Sequence, residues 1–280
     1  MCEVILALDA GGTSIKAGVL RGEEMLAKRT FPFAGEEREA MLAVFRQALA
    51  WGRAYAPACL GMACPGPFDF ARGVSHMRHK WRGLKDVPLP PVFARELPGV
   101  PQRFLHDSTA FLLGEAWQGA AQEMKNPAGV MLGTGFGFAV MADRRVLVDA
   151  NGTPALVLWN APFRDGTVED YVSRRALRDA YGPQAPDVRA LAERARGGDA
   201  RAREVFRRMG EALGQVLTRY LPAGTDGVVL GGQIARSAEL FLPWARGPAA
   251  VTMARHIGSA ALRGAAVFCR GEARAYIKEV

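Results

Sequence analysis

The stretch LALDAGGTSIKAGVL, residues 6–20, opens as one β-strand and closes as another. Apolar residues, several of them β-branched, dominate both flanks. Between them stand Asp9, Gly11, Gly12, Thr13 and Lys16. Glycine lets a backbone turn tightly and come close to a ligand. Successive backbone N–H groups at such a turn form an anion-binding nest. Thr13 adds a hydroxyl donor, and Lys16 returns on the second strand with a positive charge. Asp9 is a carboxylate able to hold a hydrated Mg²⁺, which prefers carboxylate, water and phosphate oxygens. The competing reading is a plain hairpin whose glycines serve the turn alone.

The same device occurs again in PAGVMLGTGFGFAVMADRRVLV, residues 127–148: strand, a turn carrying Gly133, Thr134 and Gly135, strand, and a further strand. Two such hairpins in one chain suggest a duplicated architecture. One hairpin carries an acid and the other does not, which turn-forming needs do not explain. Neither hairpin is a P-loop, because GGTSIKAG does not supply G-x-x-x-x-G-K-[ST]. Neither is a dinucleotide fingerprint, because GTGFGF continues into a strand instead of opening a helix.

Working outward, EEMLAKRTF reads as a third strand. Residues 36–55 read as a helix, with glutamates at its start and arginines near its end, both suited to the helix dipole. ACLGMACPGP reads as a buried strand stopped by Pro65 and Pro67. The order is β-β-β-α-β. HDSTAFLLGEAWQGA reads as a helix capped by Asp107 or Ser108. Beyond Gly166 the pattern is mostly helical. One more strand, DGVVLGG at 226–232, runs into a helix over QIARSAELF, and GSAALRGAAVFCR closes the helical part.

Composition excludes several classes. With 280 residues, 49% hydrophobic and 23% charged, the chain reads as a soluble globular protein with room for two domains. No segment is apolar over a membrane-spanning length. The amino-terminal run lacks a basic leader and a cleavage site, so a cytoplasmic location is expected. Cys2, Cys59, Cys64 and Cys269 are scattered without a C-x-x-C pair. That fits reduced thiols, with neither a disulfide framework nor a cysteine-built zinc site.

The net charge of +8 comes mainly from arginine, much of it at 188–210 mixed with Glu193, Asp199 and Glu204. At helical spacing this reads as a solvated helix face. Only Phe206 lies among those arginines, too little for a nucleic-acid stacking platform. No nucleic-acid or membrane partner is expected. His76 and His79 in HMRHKW have no cysteine or carboxylate companion and do not make a metal site. Trp81 is read either as a stacking face on a cleft or as a buried structural ring. Asp143 and Asp149 read as surface residues.

Taken together, these stretches resemble the ROK sugar kinases, the bacterial branch of the hexokinase–actin–Hsp70 superfamily. LDAGGTSIKAGVL resembles the D-x-G-G-T-x-x-K phosphate motif. LGMACPGPFD is similar to the strand ending in P-G and an acid, and FLHDSTAFLLGEAWQG to the N-D-x-N-A segment and its helix. VMLGTGFGFAV resembles the second phosphate loop, DGTVEDYVSRRAL the G-x-x-E-x-x-x-S segment, and GVVLGGQIA the glycine pair near the adenosine. Six motifs stand in order over nearly the whole chain.

The resemblance implies an α/β fold of two RNase H-like (actin-like ATPase) domains flanking a central cleft. Residues 1–108 plus about 266–280 would form the smaller domain and 109–265 the larger. ATP and Mg²⁺ would lie on one side and a sugar on the other, in an enzyme that is usually a homodimer. Asp107 would be the general base, and Asp9 would hold Mg²⁺ through water. Gly11, Gly12, Thr13, Gly133, Thr134 and Gly135 would bind phosphates. Lys16 would neutralise developing charge, and Gly231 and Gly232 would face adenosine. Gly66, His106, Asp107, Asn160 and Glu169 would line the sugar site. These roles suit phosphoryl transfer, which depends on positioning and charge stabilisation more than on covalent chemistry.

The departures are as informative. Val157 stands where the family has a sugar-binding glutamate, and Asn160 where it has a histidine. His106 replaces the asparagine before the catalytic aspartate. The cysteines that bind structural zinc in many members are absent, with Thr167 at the last of them, while Glu169 is retained. Lost polar contacts of this kind change selectivity strongly. The implied acceptor is therefore not plain glucose, but one lacking the hydroxyls those groups read or carrying an apolar or N-acyl substituent. Two alternatives remain beside the ATP-dependent kinase. One is a sugar-binding sensor without activity, although the phosphate strand begins within the first ten residues and leaves no room for a DNA-binding helix-turn-helix. The other is a sugar kinase that uses polyphosphate.

Overall fold

The computed structural model describes residues 3–78 and 80–280; Met1, Cys2 and His79 lie outside the described residues. The first hairpin forms as its pattern predicts. β1 (Val4–Ala10) and β2 (Ser14–Arg21) pair antiparallel with Asp9 opposite Lys16. β3 (Glu24–Pro32) continues the meander. α1 (Arg38–Arg53) follows, burying Met41, Leu42, Val44, Phe45, Ala48 and Leu49 at helical spacing. β4 (Cys59–Cys64) is buried throughout and pairs parallel with β1. A strand flanked on both sides must be apolar on both faces. β5 (Phe68–Asp69) and β6 (Val74–Ser75) make a small separate pair, and α2 (Pro90–Glu96) leads to β7 (Gln102–His106). The first sheet has the order β3-β2-β1-β4-β7.

The chain then forms α3 (Asp107–Gln118) and repeats the meander in β8 (Pro127–Leu132), β9 (Phe136–Ala142) and β10 (Arg145–Val148). After a short pair, β11 (Pro162–Phe163) with β12 (Gly166–Thr167), come α4 (Val168–Tyr171), α5 (Arg174–Tyr181), α6 (Val188–Arg196) and α7 (Ala200–Tyr220). β13 (Gly227–Gly231), β14 (Val251–Met253), α8 (Ala260–Phe268) and β15 (Ile277–Glu279) complete the fold. The second sheet has the order β14-β13-β8-β9-β10-β15. Duplication is thus visible in the topology: each half opens with a three-stranded meander and adds parallel strands beyond its first member.

Three cores hold these layers. One lies between the first sheet and α1–α2, and another between the second sheet and α4–α7. The third joins the halves: α3 and α8 sit between the two sheets, touching Ile5, Ala7 and Ala63 on one side and Ala139, Met141 and Val229 on the other. The two helices cross at glycines. A Cβ on Gly264 would lie 1.7 Å from the Ala110 carbonyl oxygen, and one on Gly114 would lie 2.0 Å from that of Ala260.

Several expectations need correction. The closing residues do not all join the first half, because β15 pairs parallel with β10, Ile277 opposite Val146, and so extends the second sheet. Segment 234–240 is a 3₁₀ helix with a non-helical residue at Ser237, not a regular α-helix. The cap of α3 is neither Asp107 nor Ser108. His106 takes that place, its Nδ1 accepting from the Ser108 N–H at 3.3 Å. The arginines of α6 and α7 do form a solvated, paired face: Arg207 and Arg208 meet Glu204 at 2.6 and 2.7 Å, and Arg196 meets Glu239 at 2.6 Å. No helix among the described residues is long and apolar enough to cross a membrane.

Candidate active site

β1, β4 and β7 run parallel, with Asp9 opposite Ala63 and Cys64 opposite His106. Asp9 and Asp107 therefore leave the sheet at the same carboxyl end, where ligands bind in open α/β folds. The buried Cys64 thiol registers both groups. Burial pushes its pKa well up, and the carboxylates of Asp107 and Asp9 push it further.

Asp9 Oδ2 accepts from Lys16 Nζ at 2.8 Å across the hairpin. The turn between them is anchored from behind. Gly11 N–H donates to Ser14 O (3.0 Å), Phe33 N–H donates to Thr13 O (2.9 Å), and the indole N–H of Trp81 donates to Gly11 O (2.9 Å). Gly12 and Thr13 remain exposed. Trp81 is thus the buried ring of the two readings, 1% exposed and edge-on to Phe45 at 5.7 Å. His76 lies apart, its Nδ1 2.7 Å from Asp86 Oδ1 in an exposed pair.

Asp107 is the first residue of α3, where the helix dipole favours a carboxylate. Its Oδ1 lies 3.0 Å from His106 Nδ1, and 31% of its side chain stays open. Burial would raise its pKa. In its imidazolium form His106 donates from Nδ1 to Asp107 instead of accepting from Ser108; that charge and hydrogen bond, with the Lys80 ammonium and the Ser108 N–H, outweigh burial and hold the carboxyl below the ordinary 3.8. Gly66 packs on His106, a Cβ there falling 3.7 Å from the imidazole. The Phe70 ring stands 6.0 Å from the same imidazole, and a Cβ on Gly152, from the second half, would fall 3.4 Å from Phe70.

The second glycine turn is anchored in its own way. Gly133 N–H donates to Gly135 O and Arg174 N–H donates to Gly133 O, both at 3.1 Å. Glu169 Oε2 accepts from Phe136 N–H at 3.0 Å, so this carboxylate fixes the start of β9. Thr134 is exposed at the tip. Gly231 and Gly232 adjoin the turn, and packing alone demands glycine there. A Cβ on Gly231 would strike the Phe111 ring at 2.4 Å, and one on Gly232 (φ +90°) would strike Leu132 O at 2.1 Å. Phe111 lies four residues, about one turn, along α3 from Asp107. Phe111, on the helix that Asp107 opens, therefore packs against Gly231, and Gly232 packs against Leu132 beside the second turn.

Asn160 sits on an exposed loop and makes no hydrogen bond or ion pair among the described residues. Its neighbour is tied in: Glu169 N–H donates to Trp159 O at 3.0 Å. Val157 and Trp159 on this loop are 43% and 50% exposed. Thr167, where the resemblance places a cysteine, opens α4 with a capping box. Its N–H and hydroxyl donate to Asp170 at 2.8 and 2.6 Å. Sequence reasoning missed Lys80, whose stem lies across Gly12; no motif in HMRHKW marks it.

Two meanders of like topology with crossing helices between them define the actin-like ATPase class. The chain belongs to the ROK family, whose description matches residues 5–271. It is 25% identical over 268 residues to a glucokinase of Thermotoga maritima, covering 85% of this chain and 84% of that protein. It is 27% identical over 301 residues to an N-acetyl-D-glucosamine kinase of Citrobacter koseri, covering 92% and 96%. The crystal structure of a ROK hexokinase from Thermus thermophilus superposes with a TM-score of 0.74 at 28% identity, over 94% of this chain and 97% of that one.

Proposed function

We propose that this chain is a sugar kinase that transfers the terminal phosphoryl group of ATP to a hydroxyl of a sugar derivative. The observation that carries the reading is Asp107. It is a carboxylate held ionised at a helix start, partly open, at the same strand ends as the Asp9–Lys16 pair and the Gly11–Thr13 turn. Its family membership and its likeness to glucokinase and N-acetylglucosamine kinase support the same reading.

In this reading Asp107 orients the attacking hydroxyl and takes its proton as the oxygen–phosphorus bond forms. Gly11 and Gly133 close their turns through their own N–H groups, which leaves the backbone N–H groups of Gly12 and Thr13, and of Thr134 and Gly135, to receive the phosphates from two sides. Lys16 offsets charge beside Asp9. Gly231 and Gly232 border the nucleoside, while Gly66, His106 and Glu169 border the sugar. Asp9 and the Thr13 hydroxyl fit Mg²⁺, since one carboxylate with hard oxygen neighbours is how that ion is held when phosphates supply the remaining ligands. Mg²⁺ bound there would neutralise phosphate charge. His106 and the loop of Val157, Trp159 and Asn160 set the acceptor. An apolar Val157 and an open Trp159 favour a sugar carrying an N-acyl or other apolar substituent over plain glucose.

Two measurements test this. A panel of hexoses and N-acylhexosamines assayed for ATP consumption should give a kcat/KM for an acylated or otherwise substituted sugar above that for glucose by about tenfold or more. Glucose as the best substrate would contradict the specificity. The pH profile tests the base. A carboxyl with a lowered pKa stays ionised above its ordinary value, so the acid limb of kcat/KM should lie below pH 3.8 and the profile should stay level from pH 7 to pH 5. An acid limb centred near pH 6 would show that another group limits the reaction.

A further inference from the structure

We propose that Lys80 is a second cationic group of the phosphoryl-transfer site, its ammonium lying against the phosphoryl group in transit beside the Gly11–Thr13 turn. The inference rests on the kinase reading above and adds a residue to it.

The first observation is position. A Cβ built on Gly12 would lie 3.4 Å from Lys80 Cδ and 3.6 Å from both Cγ and Cε, so the whole stem crosses the exposed turn. Cε, which carries the ammonium, is thus within van der Waals reach of the Cβ position that Gly12 leaves empty. Its charge also acts on Asp107. One lysine thus lies across the phosphate turn and within electrostatic reach of the carboxylate that would face the terminal phosphorus.

The second observation is how Lys80 is held. Trp81 adopts φ +51°, a left-handed conformation that a bulky residue rarely takes. Such a conformation persists only where the surroundings enforce it. Here they do. The Trp81 ring is buried against Phe45 and Phe33, and its indole N–H is fixed to Gly11 O. The strained residue clamps the loop onto the phosphate turn and places its predecessor above Gly12.

The third is charge. Asp9 and Asp107 put two carboxylates at one sheet end, and Lys16 is matched to Asp9 at 2.8 Å. A nucleotide triphosphate brought to that end needs cations beyond Lys16, and Lys80 supplies one. In the transfer, the acceptor oxygen bonds to the terminal phosphorus, the bond from that phosphorus to the ADP oxygen breaks, and the proton goes to Asp107. Lys80 exchanges no proton. It stabilises the oxygens of the migrating group, a contribution strongest in the transition state.

The test compares wild type with Lys80→Met, which keeps the stem over Gly12, and Lys80→Arg, which keeps the charge. Lys80→Met should lower kcat by about 100-fold with the thermal midpoint unchanged, and Lys80→Arg should restore about tenfold of the loss. Titration calorimetry runs in parallel and depends on no turnover. With Mg²⁺ present, Lys80→Met should weaken ATP by about tenfold and ADP by less than about twofold. Unchanged kcat and ATP affinity in Lys80→Met would overturn the proposal, as would equal weakening of ATP and ADP. A wild type that binds ATP but phosphorylates no sugar would overturn the kinase reading instead, and selective loss of ATP binding in Lys80→Met would still support the lysine.

Discussion

Asp107→Ala is expected to lower kcat by about a thousandfold while leaving the affinity for ATP·Mg²⁺ nearly unchanged. The split follows from where the carboxylate sits. The phosphate hairpin does not depend on it, being held by Trp81, Phe33 and Ser14, and at the start of α3 the His106 imidazole is also placed to take the Ser108 N–H. Removing it leaves the anion-binding turns in place and takes away the group that would accept the proton. Steady-state kinetics on the best sugar of the panel, with calorimetry for ATP, gives both numbers. Near-normal turnover would remove Asp107 from the chemistry. A parallel collapse of ATP binding would mean that its role is to hold the site together.

Gly264→Ala should produce the largest loss of stability. The added methyl group would fall 1.7 Å from the Ala110 carbonyl oxygen, a backbone atom in the helix that starts at Asp107. A flexible side chain could move aside, but a helix backbone moves only by separating α3 from α8 and opening the core between the sheets. Overpacking of this severity costs about 3 kcal/mol or more. For a chain of this length that is a fall of about 5–10 °C in thermal midpoint. Gly35→Ala is the matched control, since nothing lies within 4 Å of a Cβ there; its effect should stay within about 0.5 kcal/mol. Equal midpoints for the two variants would show that the crossing can relax.

The hairpins, α1, α3 and the buried strand β4 were legible because each is a local pattern: period two, period 3.6, or glycine at a turn. What was not legible depends on distant partners. β14 and β15 are three residues each and only partly buried, so neither has a pattern of its own. They exist because Val228 and Val146 offer open ladder positions to Val251 and Ile277. The sequence points to Asp107 or Ser108 as the cap of α3 because aspartate and serine are the usual caps, whereas the structure puts the His106 imidazole there. Gly231 and Gly232 were flagged for a ligand, yet Phe111 and Leu132 already require glycine at both positions. Trp81 could be read two ways from sequence. Only its bond to Gly11 decides, and with it the position of Lys80.

In the proposed mechanism the Gly11–Thr13 and Gly133–Gly135 turns hold one polyphosphate between them, with Asp107 facing its terminal phosphorus. A crystal structure with a non-hydrolysable ATP analogue and Mg²⁺ tests it most directly. Backbone N–H groups from both turns should lie within hydrogen-bond reach of the phosphates, about 2.7–3.2 Å, with the Asp107 carboxylate opposite the terminal phosphorus. Phosphates seated on one turn alone, or an Asp107 shielded from the terminal phosphorus by protein, would contradict it.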